Sequence, residues 1–172
     1  MGCLGVLFSL DKETVSKLKS FESDEDRLEF LQEDIEENIM ENEPERFAEF
    51  DKLWDALHRS LTDGKFEWAN GNFPLNHVIL GGENIYEEDD YIMSLKTPEQ
   101  VEKIAEIIVT VSEEDLRKGY NKIDAKDYGF ALTEEDFEYT WTWFKDSLEF
   151  WKNKLPKVVL ISCYNNYKIK IV

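Results

Sequence analysis

The chain is poor in the residues from which compact catalytic and metal sites are usually made. It has two cysteines, two histidines and four prolines in 172 residues. Cys3 and Cys163 lie far apart, each in an apolar run and with no spacing motif. They offer neither a disulfide framework nor a zinc site, and they read as reduced core residues of an intracellular protein. No apolar run approaches the roughly 18 residues that a membrane span needs. The opening segment has no basic start and turns polar by Ser9, so no secretory leader is expected. Bases are scarce too, 20 against 38 acids, for a formal net charge of −18. That sign repels phosphate backbones and anionic lipid, which argues against direct binding to nucleic acid or membrane. A cytoplasmic protein without metal or cofactor is expected.

The remaining pattern is that of one α/β domain over residues 1–172. "GCLGVLFSL" (2–10), "YIMSL" (91–95) and "VVLISCY" (158–164) are short apolar runs without helical period and read as buried strands. Asp11 caps a helix carrying Val15 and Leu18, and Ser23 with Asp26 opens another carrying Leu28, Leu31, Ile35 and Ile39. From Pro44, the spacing of Phe47, Phe50, Trp54, Leu57 and Leu61 predicts one continuous helix ending near Gly64. "PLNHVILGG" (74–82) predicts a shorter helix, and "ENIYEEDD" (83–90) a polar loop. "TPEQ" (97–100), Ser112 with Asp115, and Thr133 with Asp136 each mark a helix start; the last helix is the longest and runs to about Lys154. "NN" followed by "YKIKIV" allows an extra edge strand at about 165–172. The expected architecture is a layered sandwich, a small mixed sheet packed by several helices.

Few stretches suggest chemistry. Asp55 and His58 stand one helical turn apart, and a carboxylate beside an imidazole recurs in general-base sites. They are the catalytic candidates, although an i, i+3 acid–histidine pair arises easily in so acidic a chain; nothing in the spacing supports a thiol–imidazole pair of Cys163 with His58 or His77. On the helical wheel His58 flanks Trp54 and Leu61, so it should be half-buried. "YEEDDY" lacks the alternating ligands and glycine of a calcium loop, and Gly81–Gly82 lacks the lysine of a phosphate loop.

Two surfaces suggest binding instead. Residues 22–49 hold 13 acids and two bases, a net of −11 in 28 residues, counted directly from the sequence. Within them Asp24, Glu25, Asp26, Glu29, Glu33, Asp34, Glu36 and Glu37 crowd one helix whose apolar stripe is narrow. Such a face would steer a basic protein in and discriminate against wrong partners. The last helix carries Tyr139, Trp143 and Phe150 beside its main stripe of Phe137, Trp141, Phe144, Leu148, Trp151 and Leu155. An apolar arc that broad is either core packed on two sides or an interface patch.

The order of "MGCLGVLFSLDKE", "DKLWDALHRSLTDG", "PLNHVILGGENI", "YIMSLKTPEQVEKIAEII" and "SEEDLRKGY", followed by an aromatic helix and a strand, resembles the YfbM-like family of small bacterial proteins. The resemblance extends from residue 1 to about 164. It implies an α/β sandwich and a domain of unknown function, and it carries over no catalytic residues. It also brings the suggestion that members act as immunity proteins beside secreted toxins. Asp51, Trp54, Leu57, His58 and Leu61 are the positions matching its signature helix.

The weight therefore falls on a non-enzymatic module that binds a basic protein, an immunity protein being the concrete version. One alternative is a small-molecule enzyme or sensor with a pocket near Trp54 and His58. Another is a DNA mimic that blocks a nucleic-acid-binding protein.

Overall fold

The computed structural model describes residues 4–153 and, as backbone, the strand residues 158–164. Cys3, Leu155 and the edge strand expected at 165–172 lie outside the described residues, as does the side chain of Cys163.

The first strand, β1 (Gly5–Leu10), is buried along its whole length. Its side chains alternate between two cores, Val6, Phe8 and Leu10 on one face and Leu7 on the other. A strand with helices on both faces is buried on both, which is why its sequence is apolar at every position but Ser9. Strand β4 (Tyr91–Lys96) divides in the same way, Met93 and Leu95 to one side and Ile92 to the other. Together with β2 (Phe47–Asp51), the two-residue β3 (Glu83–Asn84) and β5 (Val158–Tyr164), they form a sheet of order β2-β1-β5-β4-β3. Every pairing among the described strands is antiparallel, where a mixed sheet was expected.

One layer of helix covers each face. On the first lie α1 (Lys12–Ser20), α2 (Asp24–Phe30), a π-helical turn over Leu31–Glu36 and α3 (Glu37–Asn42). The wider π turn keeps Leu31, Ile35 and Ile39, spaced by four, over the same core. Phe30 joins them as a core residue that the narrow stripe did not include. The second layer holds α4 (Trp54–Leu61), α5 (Pro98–Ile108), α6 (Glu113–Tyr120), the short α7 (Ala125–Tyr128) and α8 (Glu134–Asn153). The starts at Asp11, Ser23, Thr97 and Ser112 fall where the side chains predicted them, with full capping boxes at Thr97 and Ser112.

The helix expected from Pro44 to Leu61 is three elements: a 3-10 turn at Pro44–Arg46, then β2, then α4. Phe47 and Phe50 fit a helical stripe, but they pack on opposite faces of the sheet, as a strand's period of two requires. Pairing with β1 overrides local helical spacing. Asp51 then takes a left-handed conformation (φ 49°) and turns the chain into α4. Trp54 lies so close to β1 that a Cβ on Gly5 would stand 2.7 Å from its own Cβ. The helix expected over 74–82 amounts to a 3-10 turn at Leu75–His77, after which Val78, Ile79 and Leu80 run buried to the glycine pair. The loop expected at 83–90 contains β3 and buries Tyr86, whose hydroxyl donates to Asp90 at 2.9 Å.

Candidate functional site

All eight residues of α4 are buried, so the stretch that raised the question of an acid–base pair is interior. His58 is fully buried rather than half-buried. Its Nε2 stands 2.8 Å from Asn70 Oδ1 and 3.0 Å from the carbonyl of Glu67. Both partners are acceptors, so Nε2 carries the proton and Nδ1 is left with its lone pair, buried and without a hydrogen-bond partner. Burial lowers the imidazole's pKa to about 4; the bonds to Asn70 and Glu67 oppose that shift, and the charge of Lys96 adds to it. A neutral, sealed imidazole cannot exchange protons with a substrate. What it does is anchor the loop after α4. Asn70 completes the anchor by donating to Asp63 at 2.6 Å and to the Lys65 carbonyl at 2.8 Å.

Asp55 does not pair with His58. Its carboxylate accepts from Arg59 Nε at 2.5 Å, while Arg59 Nη1 reaches Asp127 at 2.5 Å and the Gly64 carbonyl at 3.3 Å. Burial pushes the Asp55 carboxyl above its ordinary value, against the pull of Arg59. This buried fork ties α4 to α7. The i, i+4 spacing of Asp55 and Arg59 was a readable signal for half of it; nothing in the sequence pointed to Asp127. Lys96, also fully buried, was likewise missed, because it ends an otherwise apolar strand. Its ammonium donates to the Ile79 carbonyl at 2.8 Å and to the Ser94 hydroxyl, and Ser94 in turn holds the Gly81 carbonyl. No group of three or more His, Cys, Asp or Glu converges on a metal-sized site among the described residues. No described helix is long and apolar enough to cross a membrane.

The acidic face divides into two sets. Asp24, Asp26 and Glu36 serve the fold. Asp24 pairs with Arg27 and accepts from the backbone N–H of Glu87 (2.6 Å) and Glu88 (3.0 Å), clamping the 85–90 loop. Asp26 accepts from the Ser23 hydroxyl in the cap, and Glu36 accepts from the Tyr91 hydroxyl at 3.1 Å. Glu25, Glu29, Glu33, Asp34 and Glu37 are exposed, and among the described residues their carboxylates have no hydrogen-bond or ion-pair partner. Four of these five, Glu25, Glu29, Glu33 and Glu37, are spaced by four, a column of like charges running through α2, the π turn and α3.

A cleft of about 270 Å³ opens between β2 and α8. Phe47, Ala48 and Glu49 form one wall, and Trp143, Asp146, Glu149 and Phe150 the other, with Glu45 and Asn153 at one end. Of the three aromatic residues singled out on α8, Phe150 is core with an edge on the cleft, Trp143 is a half-buried wall, and Tyr139 is exposed. Tyr139 packs edge-on against Trp143, with ring centroids 6.1 Å apart, and its hydroxyl donates to Asp51. The broad arc therefore has both uses: Phe137, Phe144 and Trp151 are core, and the adjacent side lines a cleft. A second cleft of about 220 Å³, between Ser60–Leu61 and Ile107–Leu116, is mostly apolar. Neither cleft is lined by Trp54 or His58.

The molecule is thus a layered α/β sandwich whose internal ionisable groups hold elements together and which gathers exposed carboxylates on one helical face and in one cleft. The chain belongs to the family described as a domain of unknown function (DUF1877), which matches residues 1–157. It is similar to the crystal structure of a protein of unknown function, YfbM from Escherichia coli. The two are 20% identical over 93% of this chain and 99% of that one, with a TM-score of 0.66. At that identity the likeness shows the fold. No curated protein matches the chain.

Proposed function

We infer that the protein is a non-enzymatic binding module that engages a basic protein through its acidic helical face. The observation that carries this reading is the column of Glu25, Glu29, Glu33 and Glu37, with Asp34 beside it, exposed and without an ion pair among the described residues. Like charges spaced by four destabilise a helix by roughly 0.2–0.5 kcal/mol per pair, and solubility alone needs far fewer acids. The concrete version is an immunity protein that neutralises a basic toxin, the role suggested for the family it resembles. A pocket at Trp54 and His58 has no comparable support, since both side chains are sealed in the core.

The test is affinity capture from the source cell at about 50 mM and about 500 mM salt, followed by titration of the purified partner. A basic partner should weaken steeply with salt, and Glu25→Lys/Glu29→Lys/Glu33→Lys should lower its affinity at least tenfold. Affinity unchanged by the triple reversal would overturn the reading. DNA that displaces the protein from its partner would specify the DNA-mimic version of the same face.

A further inference from the structure

The cleft between β2 and α8 joins three features that occur separately elsewhere on the surface. Among the described strands, β2 ends the sheet, with a neighbour on one side only. An edge strand presents a row of backbone N–H and C=O groups to whatever lies beside it. Aromatic side chains flank this edge, Phe47 from the strand and Trp143 and Phe150 from α8. Among the described residues the cleft is also lined by four carboxylates, Glu45, Glu49, Asp146 and Glu149, and by no lysine, arginine or histidine. Among the described residues the carboxylates of Glu45, Glu49 and Asp146 have no hydrogen-bond or ion-pair partner, and that of Glu149 accepts only from the Asn153 amide at 2.6 Å.

We propose that this cleft is a strand-addition site for an extended, lysine- or arginine-rich segment of another protein, which pairs with the outer edge of β2, the edge that no described strand occupies. The proposal rests on the reading of the protein as a binder of basic partners and names a second contact for them. Backbone pairing supplies the register, and side chains of the added strand alternate between its two faces. On one face, a basic side chain can lay its apolar stem along Trp143 and place its charged head at Asp146 or Glu149. On the other, Phe47 and Glu45 offer the same combination. The charge also decides between occupants. A second copy of this chain, docked edge to edge, would set these carboxylates against their own images. A cationic strand meets the opposite sign at every step.

The probe is a fluorescein-labelled octapeptide of alternating lysine and valine, titrated into the full chain at about 50 mM salt and followed by anisotropy. Two twins carry the same side chains but are N-methylated, one at every lysine and the other at every valine. In a paired strand, alternate amides face the neighbour. Saturable one-to-one binding should therefore fall at least tenfold for one twin and stay unchanged for the other. Equal binding by all three peptides would mean attraction by charge alone and would overturn strand addition. Asp146→Lys/Glu149→Lys should weaken the peptide at least tenfold, while Glu25→Lys/Glu29→Lys/Glu33→Lys should change it by less than about threefold, in line with screening over a Debye length. If the natural partner is lost on reversing the helix but is indifferent to reversing the cleft, the binding function stands and the cleft proposal falls. A full chain that takes up no peptide and is itself dimeric at the same concentration would assign the edge to a second copy, which also overturns it.

Discussion

Asn70 Oδ1 accepts the Nε2 proton of His58 at 2.8 Å, so a loop residue twelve positions away fixes the tautomer of a histidine that no water reaches. The pairing leaves Nδ1 unbonded inside the protein. It also makes the histidine a liability in acid.

With its pKa near 4 in the folded chain and an ordinary value of 6.5, His58 binds fewer protons folded than unfolded between those limits. Stability then rises with pH across that window and is lost as pH falls through it, by about 3 kcal/mol in all. Denaturant unfolding at intervals from pH 7 to pH 4, compared between the native chain and His58→Gln, should show the variant with the shallower dependence. Parallel curves would mean that His58 titrates alike in the folded and unfolded chains, so that burial does not depress it.

Arg59 is predicted to be the most sensitive charged position. Removing it leaves the Asp55 carboxylate buried without its cation, and breaking a buried pair costs roughly 3–5 kcal/mol. Arg59→Met should lose that much in equilibrium unfolding. Arg59→Lys should recover little, because one ammonium cannot span Asp55, Asp127 and the Gly64 carbonyl as the fork does. Asp127 is largely exposed, and Asp127→Asn should cost under about 1 kcal/mol.

The two sets of acids in residues 24–37 should respond in opposite directions. Asp24→Ala removes the acceptor of two backbone N–H groups and the partner of Arg27, and should destabilise by about 2 kcal/mol. Glu29→Lys relieves repulsion from Glu25 and Glu33 and should stabilise by about 0.5 kcal/mol at low salt, an effect that fades as salt screens it. Thermal melts of both variants at two ionic strengths decide this. A destabilised Glu29→Lys would show that the column has a structural partner.

Gly119 sets how closely α6 approaches α4. A Cβ there would stand 1.8 Å from the Ser60 carbonyl oxygen, a backbone atom that cannot swing aside. Gly119→Ala should cost about 3 kcal/mol despite alanine's better helix propensity, since overpacking at a fixed backbone outweighs a gain of about 1 kcal/mol. A stabilised variant would mean that the two helices slide apart freely.

Much of the scaffold was legible because its determinants are local. The caps at Asp11, Ser23, Thr97 and Ser112 act within one turn, and the apolar runs of β1 and β4 name their own burial. The stretch from Pro44 to Leu61 was misread because phenylalanines three apart satisfy a helix and a two-faced strand alike; only the ladder with β1 separates the two. Of the candidate site residues, Asp55 and His58 were correctly placed on one helix, yet they do not pair with each other, and their partners lie four to twelve residues away. Arg59 claims the first and reaches on to Asp127; Asn70 and the Glu67 carbonyl claim the second.

The sequence by itself determined the charge, the residues able to start helices, the strands too apolar to face water, and the membership of an α/β family. These follow from composition and from interactions within a turn or two of chain. The tertiary structure decided which charges are spent and which are free. Asp24 and Glu25 are adjacent and chemically alike, but one closes a loop 63 residues away and the other meets only solvent. The same holds for the aromatic residues of α8, where Phe144 is sealed and Trp143 lines a cleft. Such differences depend on which elements the fold brings alongside, and a side chain's local sequence carries no record of that.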